Sequence, residues 1–225
     1  MTSVGDGSPA ATDQQATASA ARHSDKAMSD YQRIRRYALG VLILLVALPL
    51  IFGQSAHGEL EHERIESVGM MLILIGIGGR LWSTLYIGGR KSAEIVDTGP
   101  YSVMRNPLYF FSTIAIMGVG AQAGSYVLAF AFAFLCWGAF SIVIRREEAF
   151  LGERMGAGYS DYLARVPRFF PKPWLWKDQG TVTFEPRLLN RTLMDGLAFL
   201  ISVPLFEFIE EAQEHGWIPV FFHFL

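Results

Sequence analysis

Apolar positions along this chain gather into five runs, residues 37–53, 68–87, 108–122, 126–144 and 193–209. Crossing a hydrocarbon layer about 30 Å thick takes roughly 20 helical residues, so each run is of span length or nearly so, and the pattern predicts five spanning helices. The third run is short for a span, and only Ala121 to Ser125 separates it from the fourth. These two runs are therefore expected to form a tight helical hairpin. Two polar blocks, Gly99 to Tyr109 and Arg145 to Pro171, bracket that hairpin. Their position implies chemistry held at a membrane face.

The first block reads GPYSVMRNPLY: a Gly-Pro-Tyr turn, then Arg105, Asn106, Pro107, Leu108 and Tyr109. Pro107 suits the first position of a helix, with Asn106 as its N-cap. The amides such a helix start leaves unpaired, together with its positive dipole end, can receive an anion. The second block carries Arg145, Arg146, Glu147 and Glu148, then Tyr159 and Tyr162 three apart on one helical face. Its exit, Val166 to Pro171, is Pro-bounded and aromatic and is expected to fold back as a lid at the membrane interface. Adjacent helical residues point about 100° apart, so Glu147 and Glu148 are not expected to face one site together.

Charge fixes an orientation. Of the 19 Lys and Arg residues, 17 fall before the first run, between the second and third, or after the fourth; Arg64 stands on the other side and Arg80 inside the second run. Both polar blocks, and the N-terminus, are then expected on the cytoplasmic side of a membrane, a bacterial inner membrane in this reading. The segment 54–67 and the tail around Glu210, Glu211 and Glu214 should face away from it. Arg80 can be read as snorkelling or as neutralising an acidic substrate group.

The chain is 51% hydrophobic and 18% charged with a formal charge of -2, which suits a small polytopic membrane protein and leaves no basic surface for nucleic acid. Residues 1–30 read as a disordered cytoplasmic tail, and 31–225 as one membrane domain. The first apolar run lacks a small-residue cleavage site and is not read as a signal peptide. Cys136, the one cysteine, excludes an intramolecular disulfide and a CxxC metal site. His57 and His62, beside several glutamates, read as a solvated loop, and no metal site is expected. The Gly76-Ile-Gly78-Gly79 and Gly118-Val-Gly120 patterns lie in apolar runs and read as close helix packing, not nucleotide binding. No alternation of strands and helices supports a Rossmann domain.

The two blocks together resemble the isoprenylcysteine carboxyl methyltransferase family, whose hallmark is G-x-Y-x-x-x-R-H-P-x-Y and, two spans later, E-E-x-x-L, a Gly, two tyrosines and V-P. The resemblance covers residues 93–171, with 172–225 as an extension holding the fifth span; Asn106 stands where the family has histidine. It implies an all-α polytopic bundle with a cytoplasm-facing pocket for S-adenosylmethionine. It also implies cofactor contacts from Ala93, Glu94, Ile95, Val96, Tyr101, Arg105, Asn106, Pro107, Leu108, Tyr109, Glu147 and Glu148. A substrate-orienting arginine of the family has no counterpart one turn before the acids, and Arg145 and Arg146 are the nearest substitutes. Asn106 can donate and accept hydrogen bonds but cannot titrate.

A carboxylate is ionised at neutral pH and needs no base, whereas an amine or alcohol does, and every histidine falls in the N-terminal tail or on the expected outer side, which leaves none at the cytoplasmic site. The expected reaction is methyl transfer to the carboxylate of a lipophilic, prenylcysteine-like acceptor drawn from the membrane lipids. Phospholipid N-methylation, thiol S-methylation and a non-catalytic membrane scaffold are the alternatives.

Overall fold

The computed structural model describes residues 51–88 and 94–224. The N-terminal tail, nearly all of the first apolar run, Arg90, Lys91 and Ala93 lie outside the described residues. The contacts divide the chain into Met1–Ile51 and Phe52–Leu225, and every element below belongs to the second unit.

That unit is helical. Helix α1 (Glu59–Ile87) is followed by the one-turn α2 (Pro100–Val103), α3 (Pro107–Ala121), α4 (Tyr126–Met155), α5 (Ala157–Arg165), α6 (Pro186–Leu197) and α7 (Ser202–Glu214). A single parallel pair of three-residue strands, β1 (Gly53–Ser55) and β2 (Phe222–Phe224), ties the start of the unit to its end. Among the described residues, three helical stretches are long and apolar enough to cross a membrane: Glu59–Ile87, Tyr126–Met155 and Pro186–Glu214. The protein is an integral membrane protein with an all-α bundle.

The elements differ from the apolar runs in three ways. Much of the segment expected as an outer loop, 54–67, is the first two turns of α1, which begins at Glu59. The third run forms a helix of only 15 residues, about 22 Å at 1.5 Å per residue, shorter than a hydrocarbon layer of about 30 Å. The fifth run belongs to a longer helical stretch interrupted by a 3-10 turn at Ala198–Ile201. Pro204 explains the interruption, because it has no N–H for the carbonyl of Leu200 and its ring crowds that carbonyl. The Ser202 hydroxyl donates to the Phe199 carbonyl at 2.6 Å.

Small residues set the helix spacing. A Cβ on Gly76 would lie 2.6 Å from Ala115 Cβ, and one on Gly118 would lie 2.5 Å from the backbone oxygen of Gly69. Antiparallel α1 and α3 therefore meet backbone to backbone, as the glycine pattern predicts. The α3–α4 hairpin forms as expected, with Ser125 capping α4 by accepting from the Leu128 amide. Tyr109 packs on Phe140 at a centroid distance of 4.7 Å. Much of the rest of α4 is exposed and apolar, including Phe130, Phe134 and Ile142, as a lipid-facing surface requires. Arg80, partly buried, donates to the Ser112 hydroxyl and lies 5.7 Å from the centroid of the Phe199 ring.

Overfilling the α1–α3 contact should therefore be costly. Gly118→Val is expected to destabilise the protein by about 1–3 kcal/mol in detergent thermal unfolding. Gly78→Ala, whose Cβ meets nothing within 4 Å, should be silent; equal effects would contradict the packing account.

Candidate active site

The C-terminus of α1, the N-terminus of α3 and the distal part of α4 meet at one end of the bundle. The chain between α1 and α3 turns sharply at Gly99, whose φ is 56°, with the Tyr86 ring 2.2 Å from where a Cβ would stand. Both the left-handed backbone and the lack of space demand glycine there. Pro100 then opens α2, and Pro107 opens α3 as the pattern predicts. Asn106 holds the N-cap position, but its side chain does not cap the helix. It donates instead to the Arg168 carbonyl at 2.9 Å and towards Glu148 at 3.4 Å.

Helix α4 runs without a break past the apolar stretch to Met155 and so carries both acids into this corner. After α5 the chain returns along the first block. The Arg105 amide donates to the Pro167 carbonyl at 2.9 Å, the Lys172 amide to the Val103 carbonyl at 2.9 Å, and the Gly99 amide to the Lys177 carbonyl at 2.8 Å. Trp176 stacks on Trp82 at 5.6 Å, and Asp97 pairs with Lys177 and Arg165. This is the fold-back expected of the Val166–Pro171 exit: Phe169 is buried, whereas Phe170 is exposed.

Glu148 lies at the centre of the corner with its side chain 8% exposed. Arg105 Nε stands 3.2 Å from Oε1, and Arg168 Nε and Nη2 both stand 2.9 Å from Oε2. Arg105 also donates through Nη1 to the Leu163 carbonyl at 3.0 Å. With Asn106 on Oε1 as well, each carboxylate oxygen already faces two donors, so Glu148 binds the two blocks to each other.

The cleft beside this network has an empty volume of about 660 Å³ counted to its mouth, open solvent included. It is lined by Glu94, Ile95, Val96, Tyr101, Arg105, Asn106, Pro107, Leu108, Tyr109, Glu147 and Glu148, each of them a residue singled out in the sequence. Both acids face it, contrary to expectation, because the cleft wraps far enough around α4 to meet neighbouring residues. Arg145 and Arg146 are exposed and do not line it; the guanidinium groups beside the acids are those of Arg105 and Arg168. Ile87, Leu151, Met155, Tyr159 and Tyr162 also line the cleft. The signal for Leu151 was available, since it follows Glu147 by four residues and Glu148 by three on one helical face.

Four phenols line the cleft: those of Tyr101, Tyr109, Tyr159 and Tyr162. The Tyr162 hydroxyl donates to the Tyr101 carbonyl at 2.8 Å. The Tyr101 hydroxyl is buried with no hydrogen-bond partner. Burial holds its pKa well above the usual phenol value, with Tyr162, Glu147 and Tyr109 adding to the effect. Burial likewise raises Tyr162 and pushes Tyr159 up to about 12, with Glu148 adding to the latter. These three are neutral phenols at physiological pH, able to donate a hydrogen bond and unable to act as a base. The Tyr109 hydroxyl is hydrogen-bonded to Glu147.

A second, almost wholly apolar groove of about 840 Å³ lies between α3 and α4, lined by Phe110, Thr113, Ile114, Phe130, Ala133, Phe134, Trp137, Phe169 and Phe170. Phe110 follows Tyr109 of the cleft, and Phe169 follows Arg168.

The sequence model of the phospholipid methyltransferase family matches residues 65–157. The chain is 34% identical over 196 residues to the nickel-cobalt-cadmium resistance protein NccN of Alcaligenes xylosoxydans xylosoxydans, covering 84% of this chain and 90% of that protein. It is 33% identical over 190 residues to the cobalt-zinc-cadmium resistance protein CzcN of Cupriavidus metallidurans, covering 80% and 86%. It is 28% identical over 149 residues to protein-S-isoprenylcysteine O-methyltransferase B of Arabidopsis thaliana, covering 61% and 74%. No solved structure matches the chain.

The geometry separates the two acids experimentally. Glu148→Gln leaves the Arg105 guanidinium buried without a counter-charge and is expected to cost about 3 kcal/mol in unfolding measurements. Glu147→Gln should change stability by less than about 1 kcal/mol. Equal losses would refute the assignment of Glu148 as the clamp.

Proposed function

The chain belongs to the phospholipid methyltransferase family and is a methyltransferase, and from that premise we propose that it carries a methyl group from S-adenosylmethionine to an acidic, lipophilic acceptor at the cytoplasmic face of a membrane. The observation that carries this reading is the Tyr101 hydroxyl, buried in the cleft with no partner in the protein. An unsatisfied buried hydroxyl costs about 1–3 kcal/mol, and a ligand acceptor at that point offsets the cost.

The residues present fit this cofactor. Pro107 has no N–H, and the Leu108 and Tyr109 amides of the first turn of α3 have no intrahelical partner, so an amino-acid carboxylate suits that helix end. Glu147 suits ribose hydroxyls or the ammonium group, because Glu148 is already engaged by two arginines. Leu151 and Met155 supply apolar wall for a purine. When bound, S-adenosylmethionine supplies an electrophilic methyl group on a cationic sulfur.

What the protein's own residues must do is hold the acceptor in line and exclude water. The strap from Val166 to Lys177 closes the corner over the first block. The neutral phenols cannot deprotonate an acceptor, and a carboxylate is a weak base, so an acceptor already ionised at neutral pH is favoured. Arg168, 45% exposed and next in sequence to Phe169 of the apolar groove, is the cation such an acid would approach, and the groove between α3 and α4 suits its hydrocarbon portion. A prenylated cysteine carboxylate meets both requirements, as the isoprenylcysteine O-methyltransferase relatives suggest. The resistance relatives add a setting, cells exposed to divalent transition metals. In that setting, a host lacking the chain should regain metal tolerance from the wild type but not from Glu147→Ala.

Calorimetry on detergent-purified protein tests the cofactor assignment. Glu147→Ala is expected to weaken S-adenosylmethionine binding by roughly ten- to a hundredfold. Tyr101→Phe should weaken it by roughly three- to tenfold while raising the thermal stability of the ligand-free protein, since an unsatisfied hydroxyl is removed. Wild-type protein that is folded yet binds no cofactor, or variants that bind as well as wild type, would overturn the reading.

A further inference from the structure

At the end of the bundle away from the cleft, α1, α7 and the α3–α4 turn converge on a second cluster. We propose that His62, Glu66 and Glu210 form a binding site for a divalent transition-metal ion. His62 and Glu66 stand four residues apart on the first turns of α1 and so share one face, while Glu210 reaches across from α7. His62 Nε2 lies 2.8 Å from Glu210 Oε1 and 3.4 Å from Glu66 Oε1, and donor atoms of all three fall within 4.8 Å of one another. Four-coordinate nitrogen and oxygen ligands about 2.0–2.1 Å from an ion stand about 3.3 Å apart. The His62 contacts bracket that spacing.

The imidazole is held in place. Gly124, in the left-handed conformation at φ 63°, leaves bare backbone where His62 packs, with Nδ1 only 2.2 Å from where a Cβ would stand. The Nε2 atom is sealed from solvent and is the His62 atom that faces both carboxylates. All three side chains are partly buried where α1 and α7 meet. Glu63, Glu207 and Glu214 add negative charge around Glu66 and Glu210. A dication balances such a cluster more completely than one imidazolium can.

The donor set is one imidazole nitrogen and two carboxylate oxygens, with no thiolate. It suits zinc, nickel or cobalt ions completed by water, and does not suit a soft monovalent ion. His62 is 25 residues from Ile87 of the methyl-transfer cleft on the same helix, about 37 Å at 1.5 Å per residue. The site is therefore distinct from the cleft, and its ion would join α1 to α7 at the opposite end.

The test uses the full chain, purified in detergent with a tag free of histidine and stripped with chelator. It is titrated with Co²⁺, read by its visible ligand-field absorption, and then with competing Zn²⁺. One equivalent is expected to bind. Glu210→Gln and His62→Gln should each weaken binding at least about tenfold, whereas His57→Ala and His215→Ala should leave it unchanged. Glu66→Gln serves if either ligand variant fails to fold, judged by thermal unfolding without metal. Folded wild type that binds no Co²⁺, or binding equal in the folded Glu-to-Gln variants, would overturn the proposal. Metal titration involves no methyl donor, so its outcome is independent of the methyl-transfer reading.

Discussion

The candidate active site depends on one buried carboxylate. Glu148 is gripped by Arg105 from the corner before α3 and by Arg168 from the returning strap, with Asn106 completing its coordination. Those partners lie 43, 42 and 20 residues away in the chain. Their meeting requires that α4 project past the apolar stretch, that the corner turn at Gly99, and that the strap come back along it. Such a cluster is weak evidence for net stability, because desolvation opposes the Coulomb gain. Its consequence is geometric: with one acid occupied by arginines, the neighbouring Glu147 faces the cleft in a chemically different role.

The scaffold beneath this corner is held by shape more than by charge. Lipid tails are as apolar as helix surfaces, so burial alone gives helices in a bilayer little reason to associate, and close backbone approach supplies it. The small residues of α1 and α3 provide that approach, and the α3–α4 turn keeps the hairpin tight. Helix α4 can then leave most of its apolar surface to lipid. The apolar groove beside the cleft opens on the same side, where a hydrocarbon chain in the bilayer would meet it.

Legibility in the sequence followed the range of the interactions. The second and fourth apolar runs, the Pro107 helix start, the packing glycines and the hairpin are local patterns, and each appears in the structure; the third run makes a helix too short to span and the fifth is interrupted. The cleft residues were legible because they recur as contiguous blocks with family-like spacing. Long-range partners were not. Nothing local shows that Arg168 turns to Glu148 while Arg145 and Arg146 stay outside the cleft lining, or that the Tyr101 hydroxyl is left without a partner. Likewise, His62 and Glu66 display helical spacing, but Glu210 lies 144 residues beyond Glu66. Only the antiparallel course of α6 and α7 along α1, with Thr192 meeting Thr84, Gly196 near Ile77 and Glu210 meeting His62, brings it near. The break at Ala198–Ile201 follows from Pro204, a signal outweighed in the sequence by the hydrophobicity around it.

The central claim is that this cleft methylates a lipophilic acid. The most direct measurement incubates purified protein and membrane lipid extract with S-adenosylmethionine carrying an isotopically labelled methyl group, then follows the label in the lipid fraction. The account predicts label in a lipid product, released as methanol by mild alkali, as an ester requires. Label that survives alkali on nitrogen or sulfur, or no lipid labelling by protein that binds the donor, would contradict it.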